Sequence, residues 1–381
     1  NPVYEYLGTS RLIKHYTARH EEGALHAADG YSRAMRGERL GMAICTSGPA
    51  ATNFVTGLYT AQIDSIPLIA ITGQSVRAQI GKEAFQAVDI VHIAQPVCKG
   101  AWCITEPSQA ASIVRKAFWT AREGRPGPVL IDLPLDVQLA EVAYAPERDA
   151  SIPVLKQPPD PALIEQALDL VLQAKNPVMI MGGGVLLAGA SDVCVALAEY
   201  LSLPVITTYM ATGGIPAQHP LHVGHVGIQV GQPFGNRFFL ESDLVLAVGN
   251  RFSDRHTGTL EPYIRGRRFV HINVEPEHIG RIVPTELGIV ADARLALEAL
   301  LEAARRYGVR VYGPNSQGVM NSDPDVSVYA NFTFTPMRPG EAFLLAQSGG
   351  VAELLNLNLR QMGSGFRMYA SHGNATDVNT N

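Results

Sequence analysis

The run LGMAICTSGPAATN, residues 40–53, decides how the chain is read. Residues 40–45 form a short apolar stretch, the pattern of a strand buried in a sheet. Thr46-Ser47-Gly48-Pro49-Ala50-Ala51-Thr52-Asn53 follows, and almost every residue in it is small. Small residues let a ligand approach the backbone, and the amide of Asn53 offers both a donor and an acceptor. A buried strand that runs into such a loop is a unit of an open α/β sheet, where ligands bind outside the carboxyl ends of the strands.

Further units lie on both sides. Residues 67–72 and 128–133 read as buried strands. Residues 22–36 read as an amphipathic helix with Ala24, Ala27, Ala28, Tyr31, Ala34 and Met35 on one face. Strands that alternate with helices imply a parallel α/β sheet, here over residues 1–150. The proline-rich stretch 151–161 reads as a linker. A second domain is expected over 162–303, with strands at 177–181, 204–208, 244–249 and 269–274 and a helix at 293–304, again in a doubly wound pattern. Residues 305–381 read as a partial third α/β segment, with strands at 309–312 and 342–346. The fold class is therefore α/β, with two doubly wound, mainly parallel sheets and an incomplete third segment.

Composition narrows the function. Of 381 residues, 46% are hydrophobic, which excludes a disordered chain. Charged residues make up 17%, below the roughly 25% of an average soluble protein, which implies extensive burial, subunit interfaces included. A net charge of −5 gives no reason to expect a nucleic-acid or membrane-surface protein. The uncharged stretch 40–63 is broken by polar residues and proline, and 176–190 is shorter than the roughly 20 residues a membrane span needs. Cys45, Cys98, Cys103 and Cys194 form no CxxC pair, so buried thiols in a cytoplasmic protein are expected rather than a metal site.

Two more polar clusters join the 46–53 loop. Arg19-His20-Glu21-Glu22-Gly23-Ala24 opens the 22–36 helix, and a carboxylate at a helix N-terminus stays ionised. Ile71-Thr72-Gly73-Gln74 ends the second strand with an amide at its carboxyl edge. Taken singly, these are a first-turn charge and two loops; together they make a candidate ligand site of Glu21, Pro49, Asn53 and Gln74. His20 and His26 lack a partner at metal-ligand spacing and are expected to be packing or surface residues.

Seven runs carry a family likeness: RHEEGALHAADGYSRA (19–34), TSGPAATN (46–53), DSIPLIAITGQ (64–74), KEAFQAVDI (82–90), GRPGPVLIDLPLDVQ (124–138), GNRFSDRHTG (249–258) and HINVEPEHIGR (271–281). Through them, residues 11–300 resemble the thiamine-diphosphate enzymes of the acetolactate synthase and glyoxylate carboligase group. The resemblance implies a pyrimidine-binding domain over 1–150, N-terminally incomplete, and a central FAD-binding-like domain over 162–303. It gives Glu21 the hydrogen bond to the cofactor's aminopyrimidine and places Pro49 and Asn53 around that ring. Phe85 and Gln86 then fall near the reacting centre. In the central domain it implies FAD, held without redox work by Gly182, Gly183, Gly184, Thr208, Gly249, Asn250, Arg251, Asn273 and Asp292. Arg251 would meet the pyrophosphate, and Asn273 stands where the family usually has an acidic residue on a ribose. The implied reaction is carboligation of small 2-oxo acids by a homodimer or homotetramer. The RHTG run at 255–258 and residues 267–293 look more like glyoxylate carboligase. Glu21 is the acetolactate-synthase-type residue, since glyoxylate carboligases have valine there. Pyruvate and glyoxylate therefore both stay open.

The family holds Mg²⁺ and the cofactor's diphosphate with a Gly-Asp-Gly run and a later Asn-Asn. No Gly-Asp-Gly occurs in this sequence, so the Mg²⁺ site is expected to be missing and the chain inactive alone. Instead RVYGPNSQGVMN (310–321), AQSGGVAELLN (346–356) and GFRMYASHGNATDV (365–378) resemble part of the CoA-ligase domain of ADP-forming acyl-CoA synthetases, without a phosphohistidine role for His372. The chain thus reads as an incomplete enzyme, a gene fragment or fusion artefact more than a natural fusion. The competing readings are a non-catalytic FAD-binding scaffold and an acyl-CoA synthetase-type ligase acting through the tail.

Overall fold

A computed structural model describes residues 2–143, 153–228, 233–306, 318–326, 328–331 and 335–371. The expected strand at 309–312 and His372 lie outside the described residues, as does the start of the expected 151–161 linker. The chain divides into two compact units, residues 1–157 and 158–381.

In the first unit, β1 (Gly41–Cys45), β2 (Leu68–Gln74), β3 (Gly100–Cys103) and β4 (Pro128–Pro134) form a sheet in the order β1-β2-β4-β3, and every pairing is parallel. The helices are α1 (Pro2–Thr9), α2 (Glu21–Ala34), α3 (Pro49–Thr52), α4 (Phe54–Asp64), α5 (Ile90–Ala94), α6 (Ala110–Arg122) and α7 (Leu135–Gln138). The apolar runs form strands because they are buried: Leu68, Ile69, Ala70, Val129, Leu130 and Ile131 have almost no exposed surface. Leu25 of α2 and Phe54 and Leu58 of α4 are equally buried. Gly57 lets α4 close on α2, because a Cβ there would lie 2.9 Å from Leu25 Cδ2. The sequence missed β3. Its residues, GAWC, are all only partly buried, so this edge strand lacks the apolar run that marks β1, β2 and β4.

Register aligns the carboxyl ends of all four strands. Cys45 pairs with Thr72, Thr72 with Asp132, and Cys103 with Asp132. Polar residues at these ends therefore form a row along one edge.

The second unit holds a parallel six-stranded sheet, β5 (Pro177–Met181), β6 (Val205–Thr207), β7 (His222–His225), β8 (Leu244–Val248), β9 (Arg268–Asn273) and β10 (Leu287–Val290), in the order β10-β9-β8-β5-β6-β7. From β5 the chain steps outward one way to β7; from β8 it steps the other way to β10. This is the Rossmann strand order, with its switch point between β5 and β8, where dinucleotides bind. Its helices are α8 (Pro161–Gln173), α9 (Gly183–Leu187), α10 (Ser191–Leu201), α11 (Phe234–Glu241), α12 (Asp254–Thr257), α13 (Leu260–Ile264) and α14 (Ala293–Arg306). Ile164, Leu168, Leu197, Leu297 and Leu300 of α8, α10 and α14 pack with Met179, Leu246 and Val270 of the sheet in one core. The β7 strand likewise lacks an apolar run: HVGH at a sheet edge is half-buried and carries two histidines and a glycine.

Within the tail, β11 (Gly318–Asn321), β12 (Val328–Asn331), β13 (Pro339–Ala346) and β14 (Phe366–Ser371) form a third sheet in the order β12-β11-β14-β13. It is mixed: β13 and β14 run parallel, while β11 is antiparallel to both of its neighbours. Helix α15 (Gly349–Gln361) starts directly after β13. Ala352 of α15 packs with Met320, Phe366 and Tyr369 in a small core.

Candidate functional site

The site in the first unit begins with a helix start. His20 caps α2, its Nδ1 accepting from Glu22 N at 3.2 Å, so that ring is committed to the fold. Glu21 is the first residue of the helix. Asn53 sits where α3 meets α4, its backbone N–H donating to Pro49 O at 3.1 Å. Its side chain Nδ2 donates to Glu21 Oε2 at 3.0 Å. That hydrogen bond, and secondly the backbone N–H of Glu21 itself, hold the Glu21 carboxyl below the usual range, so it is ionised at neutral pH.

The neighbouring loop is shaped by Gly48, which has φ 66°. A Cβ on Gly48 would lie 2.8 Å from Gln86 Cβ, so only glycine lets Gln86 settle against this loop. Gln86 is itself left-handed, with φ 56°. Such a conformation in a non-glycine residue costs about 1–3 kcal/mol and persists where surrounding structure holds it. Phe85 stands beside it, 89% exposed. Pro49 is exposed at the first position of α3. The structure thus joins Glu21 to Asn53 and Gln86 to the Gly48–Pro49 turn, all at the carboxyl end of the first sheet.

Gln74 is placed differently. It is buried, and its side chain is fully used within the protein. Nε2 donates to Val88 O at 2.8 Å and to Asp132 Oδ2 at 2.9 Å, while Oε1 accepts from Ser75 N at 2.9 Å. All three of these contacts lie within the fold. Asp132, inconspicuous within an apolar strand, is the hub. Thr72 Oγ1 donates to its Oδ1 at 2.7 Å, and the Cys103 thiol hydrogen-bonds to it as well. Burial pushes Asp132 up to about 6, against the opposing effect of the Thr72 and Gln74 hydrogen bonds. Burial first, and Asp132 second, push the Cys103 thiol up to about 12. The signal was present: Asp132 is an acid in the otherwise apolar strand PVLIDLP.

In the second unit, the loops after β5 and β8 meet at the switch point. Gly182 N donates to Val248 O at 2.8 Å and Gly184 N to Gly249 O at 3.0 Å. A Cβ on Gly184 would lie 2.7 Å from Gly249 Cα, and one on Gly183 2.9 Å from Met210 Cβ. The glycine triplet, which opens α9 instead of only ending a strand, is therefore needed first for backbone packing against Gly249 and Met210. Thr208, buried after β6, donates its N–H to Met181 O at 3.0 Å.

The 249–252 turn is held from beneath. Gly249 has φ 62° and Phe252 φ 53°. The carbonyl of Asn250 faces His271 Nε2 at 2.7 Å and Asn273 Nδ2 at 2.8 Å. Asn250 Oδ1 accepts from Phe252 N at 2.8 Å. His256, buried and pushed down to about 3 by that burial, bonds to the Tyr263 hydroxyl at 2.8 Å. Asn250 and Asn273 are thus committed inward. Asn273 Oδ1 also takes Glu275 N at 2.9 Å, so its amide braces the turn from both ends. Asp292 Oδ1 accepts from Arg294 N at 3.0 Å and Leu295 N at 3.2 Å, capping α14. Arg251 is only partly buried, and no hydrogen bond or ion pair engages its guanidinium among the described residues.

An ionised helix-start carboxylate beside a small-residue loop in one unit, and a Rossmann-ordered sheet with paired glycine turns in the other, define an α/β cofactor-binding protein. The chain belongs to the thiamine pyrophosphate enzymes: residues 1–93 match the family's N-terminal TPP binding domain and residues 164–300 its central domain. It is 47% identical over 305 residues to a glyoxylate carboligase of Escherichia coli O157:H7, covering 80% of this chain and 51% of that protein. It is 42% identical over 310 residues to an acetolactate synthase of Arthrospira platensis, covering 79% and 53%. It is 42% identical over 306 residues to an acetolactate synthase large subunit of Corynebacterium glutamicum, covering 80% and 48%. The chain spans about half the length of the curated relatives it matches. No helix among the described residues is long and apolar enough to cross a membrane.

Proposed function

We propose that this chain is the pyrimidine-binding and central part of a thiamine-diphosphate-dependent carboligase acting on small 2-oxo acids. The observation that carries the proposal is the Asn53–Glu21 hydrogen bond, which holds an ionised carboxylate at a helix N-terminus beside the small-residue loop. When bound, thiamine diphosphate supplies the nucleophilic carbon and the electron sink that join two 2-oxo acids. With it bound, Glu21 would share a proton with the aminopyrimidine, and Asn53, which holds Oε2, would fix which oxygen does so. Pro49 lines the ring's pocket, and Phe85 and Gln86 stand at the reacting centre.

FAD fits the central unit. The switch point between β5 and β8 is a dinucleotide position, and Arg251 is a partnerless guanidinium at its edge among the described residues, suited to a pyrophosphate. Glyoxylate and pyruvate are the two substrates proposed, with a homodimer or homotetramer as the working form and Mg²⁺ and the diphosphate held by residues other than a Gly-Asp-Gly of this sequence. Alone, the chain is expected to bind FAD without turning over a 2-oxo acid, the behaviour of a scaffold. Four unbridged cysteines support a cytoplasmic setting. For residues 318–371 we propose a separate CoA-ligase-like piece, supported by the passage of β13 through Ser348-Gly349-Gly350 into α15.

The test is a chimera in which residues 1–303 replace the matching half of the glyoxylate carboligase relative. Cofactor-dependent release of CO₂ from glyoxylate or pyruvate is expected. Glu21→Gln should slow it by about 10²–10⁴-fold, the usual size of a lost acid–base group. Turnover that is indifferent to Glu21→Gln, or a folded chimera that binds no thiamine diphosphate, would overturn the proposal.

A further inference from the structure

Gln86 is exposed, left-handed and pressed against Gly48, yet it lies in a stretch with little regular structure before α5. Something must hold that backbone. Within the stretch, Ala87 N donates to Ala84 O at 2.9 Å and Ile90 N to Val88 O at 2.9 Å. These bonds close the turn locally but do not fasten it to the sheet. The fastening comes from Gln74 at the end of β2, whose Nε2 gives one hydrogen to Val88 O and the other to Asp132 Oδ2. Asp132 is buried on β4, and its other oxygen takes the Thr72 hydroxyl of β2. Its backbone carbonyl accepts from Ile104 N at 3.0 Å, just beyond β3. One aspartate therefore ties three strand ends together and fixes the amide that grips the loop.

We infer that Gln74 and Asp132 are positioning residues: Asp132 orients the Gln74 amide, and Gln74 clamps the Val88 carbonyl so that Gln86 keeps its left-handed pose against Gly48. Both side chains are engaged within the protein. A buried amide with both hydrogens and its oxygen taken is rigid, because breaking any of those bonds leaves a polar group unpaired in the core. That rigidity offsets the strain at Gln86. The inference rests on the proposed function in one respect only, the place of Phe85 and Gln86 at the reacting centre.

Hydrogen exchange on the 381-residue chain tests the clamp directly. In the unaltered chain the Ala87 and Ile90 amides should be protected to within about tenfold of the β2 and β4 amides, as expected for one cooperative unit. An unprotected 84–90 stretch would overturn the clamp without any mutation. Gln74→Met keeps length and apolar volume but removes both donors. It should speed exchange at Ala87 and Ile90 by about tenfold or more while β1 and β4 amides keep their rates, the pattern of local opening. Unchanged exchange at Ala87 and Ile90, or equal acceleration across the sheet, would sink the idea. Thr72→Val removes the other side-chain donor from the same carboxylate but leaves Gln74 on Val88, so it should loosen the loop less than Gln74→Met does; equal or greater loosening would count against the clamp.

In the chimera, Gln74→Met should lower kcat by roughly tenfold or more, since small misplacement of a reacting-centre group is costly. Its affinity for thiamine diphosphate should stay within about twofold, because the Gln74 amide is engaged within the fold and Glu21 and Asn53 are untouched. A large loss of thiamine diphosphate affinity would make Gln74 a cofactor contact instead. The two readings fail separately: absent thiamine diphosphate binding with a protected loop removes the function and leaves the clamp, and the reverse result does the opposite.

Discussion

Asn53 Nδ2 lies 3.0 Å from Glu21 Oε2, a bond between residues 32 apart in sequence. It joins the first turn of α2 to the junction of α3 and α4, and it is the largest cause of the lowered Glu21 pKa. Asn53→Leu removes the donor, so the Glu21 carboxyl should titrate at a higher pH than in the unaltered chain. Because the folded-state value is depressed, this carboxylate stabilises the fold above its unfolded pKa, and the contribution is lost as pH falls through the folded value. Carbon-detected NMR titration of Glu21 in both proteins measures the difference. An unmoved titration would mean that the hydrogen bond does not govern the carboxyl.

Asp132 has the opposite linkage. Its folded-state value is raised to about 6. Its contribution to stability is therefore fully present below the unfolded value of about 3.9 and is lost as pH rises through the folded one. The full swing is on the order of 3 kcal/mol, since each tenfold change in proton affinity is worth about 1.4 kcal/mol. Urea midpoints of the unaltered chain should fall between about pH 4 and pH 6 relative to those of Asp132→Asn, which has no carboxyl to titrate. Parallel pH profiles for the two proteins would show that Asp132 keeps an ordinary pKa.

Gly249 tests what the switch-point glycines are for. With φ 62°, and a Cβ that would meet Gly184 Cα at 2.7 Å, Gly249→Ala collides backbone with backbone. Strain and overpacking together should cost about 2 kcal/mol or more, whether or not a dinucleotide is present. Denaturant unfolding of the cofactor-free protein measures this. A variant as stable as the parent that has lost only FAD would assign the glycines to ligand approach instead.

Arg251→Ala addresses the flavin. The guanidinium has no partner in the fold among the described residues, so its loss should leave stability within about 0.5 kcal/mol, as for an ordinary surface substitution. FAD affinity should fall by about 1.5–3 kcal/mol, the range for a charged hydrogen bond. Quenching of flavin fluorescence on titration reads the affinity. Equal FAD binding by both proteins would take the pyrophosphate away from Arg251.

The parallel architecture, the Glu21 helix start and the small-residue loop at 46–53 were legible in the chain itself, because a doubly wound sheet buries its strands on both faces and so writes them as unbroken apolar runs. The strands β3 and β7 were not legible. They lie at sheet edges, are half-buried, and have mixed composition. Local sequence also marked which side chains were polar at strand ends, but not where their hydrogen bonds go. Gln74 reads as a ligand contact because it is a polar group at a carboxyl edge, and the family resemblance implies the same for Asn250, Asn273 and Asp292. Folding spends all four on the protein's own backbone, on Asp132 and on the cap of α14. Asp132 itself, hidden in an apolar strand, gained its importance only when register set it between Thr72 and Cys103. A hydrogen bond depends on distance and angle across strands far apart in sequence, and only the tertiary structure sets those.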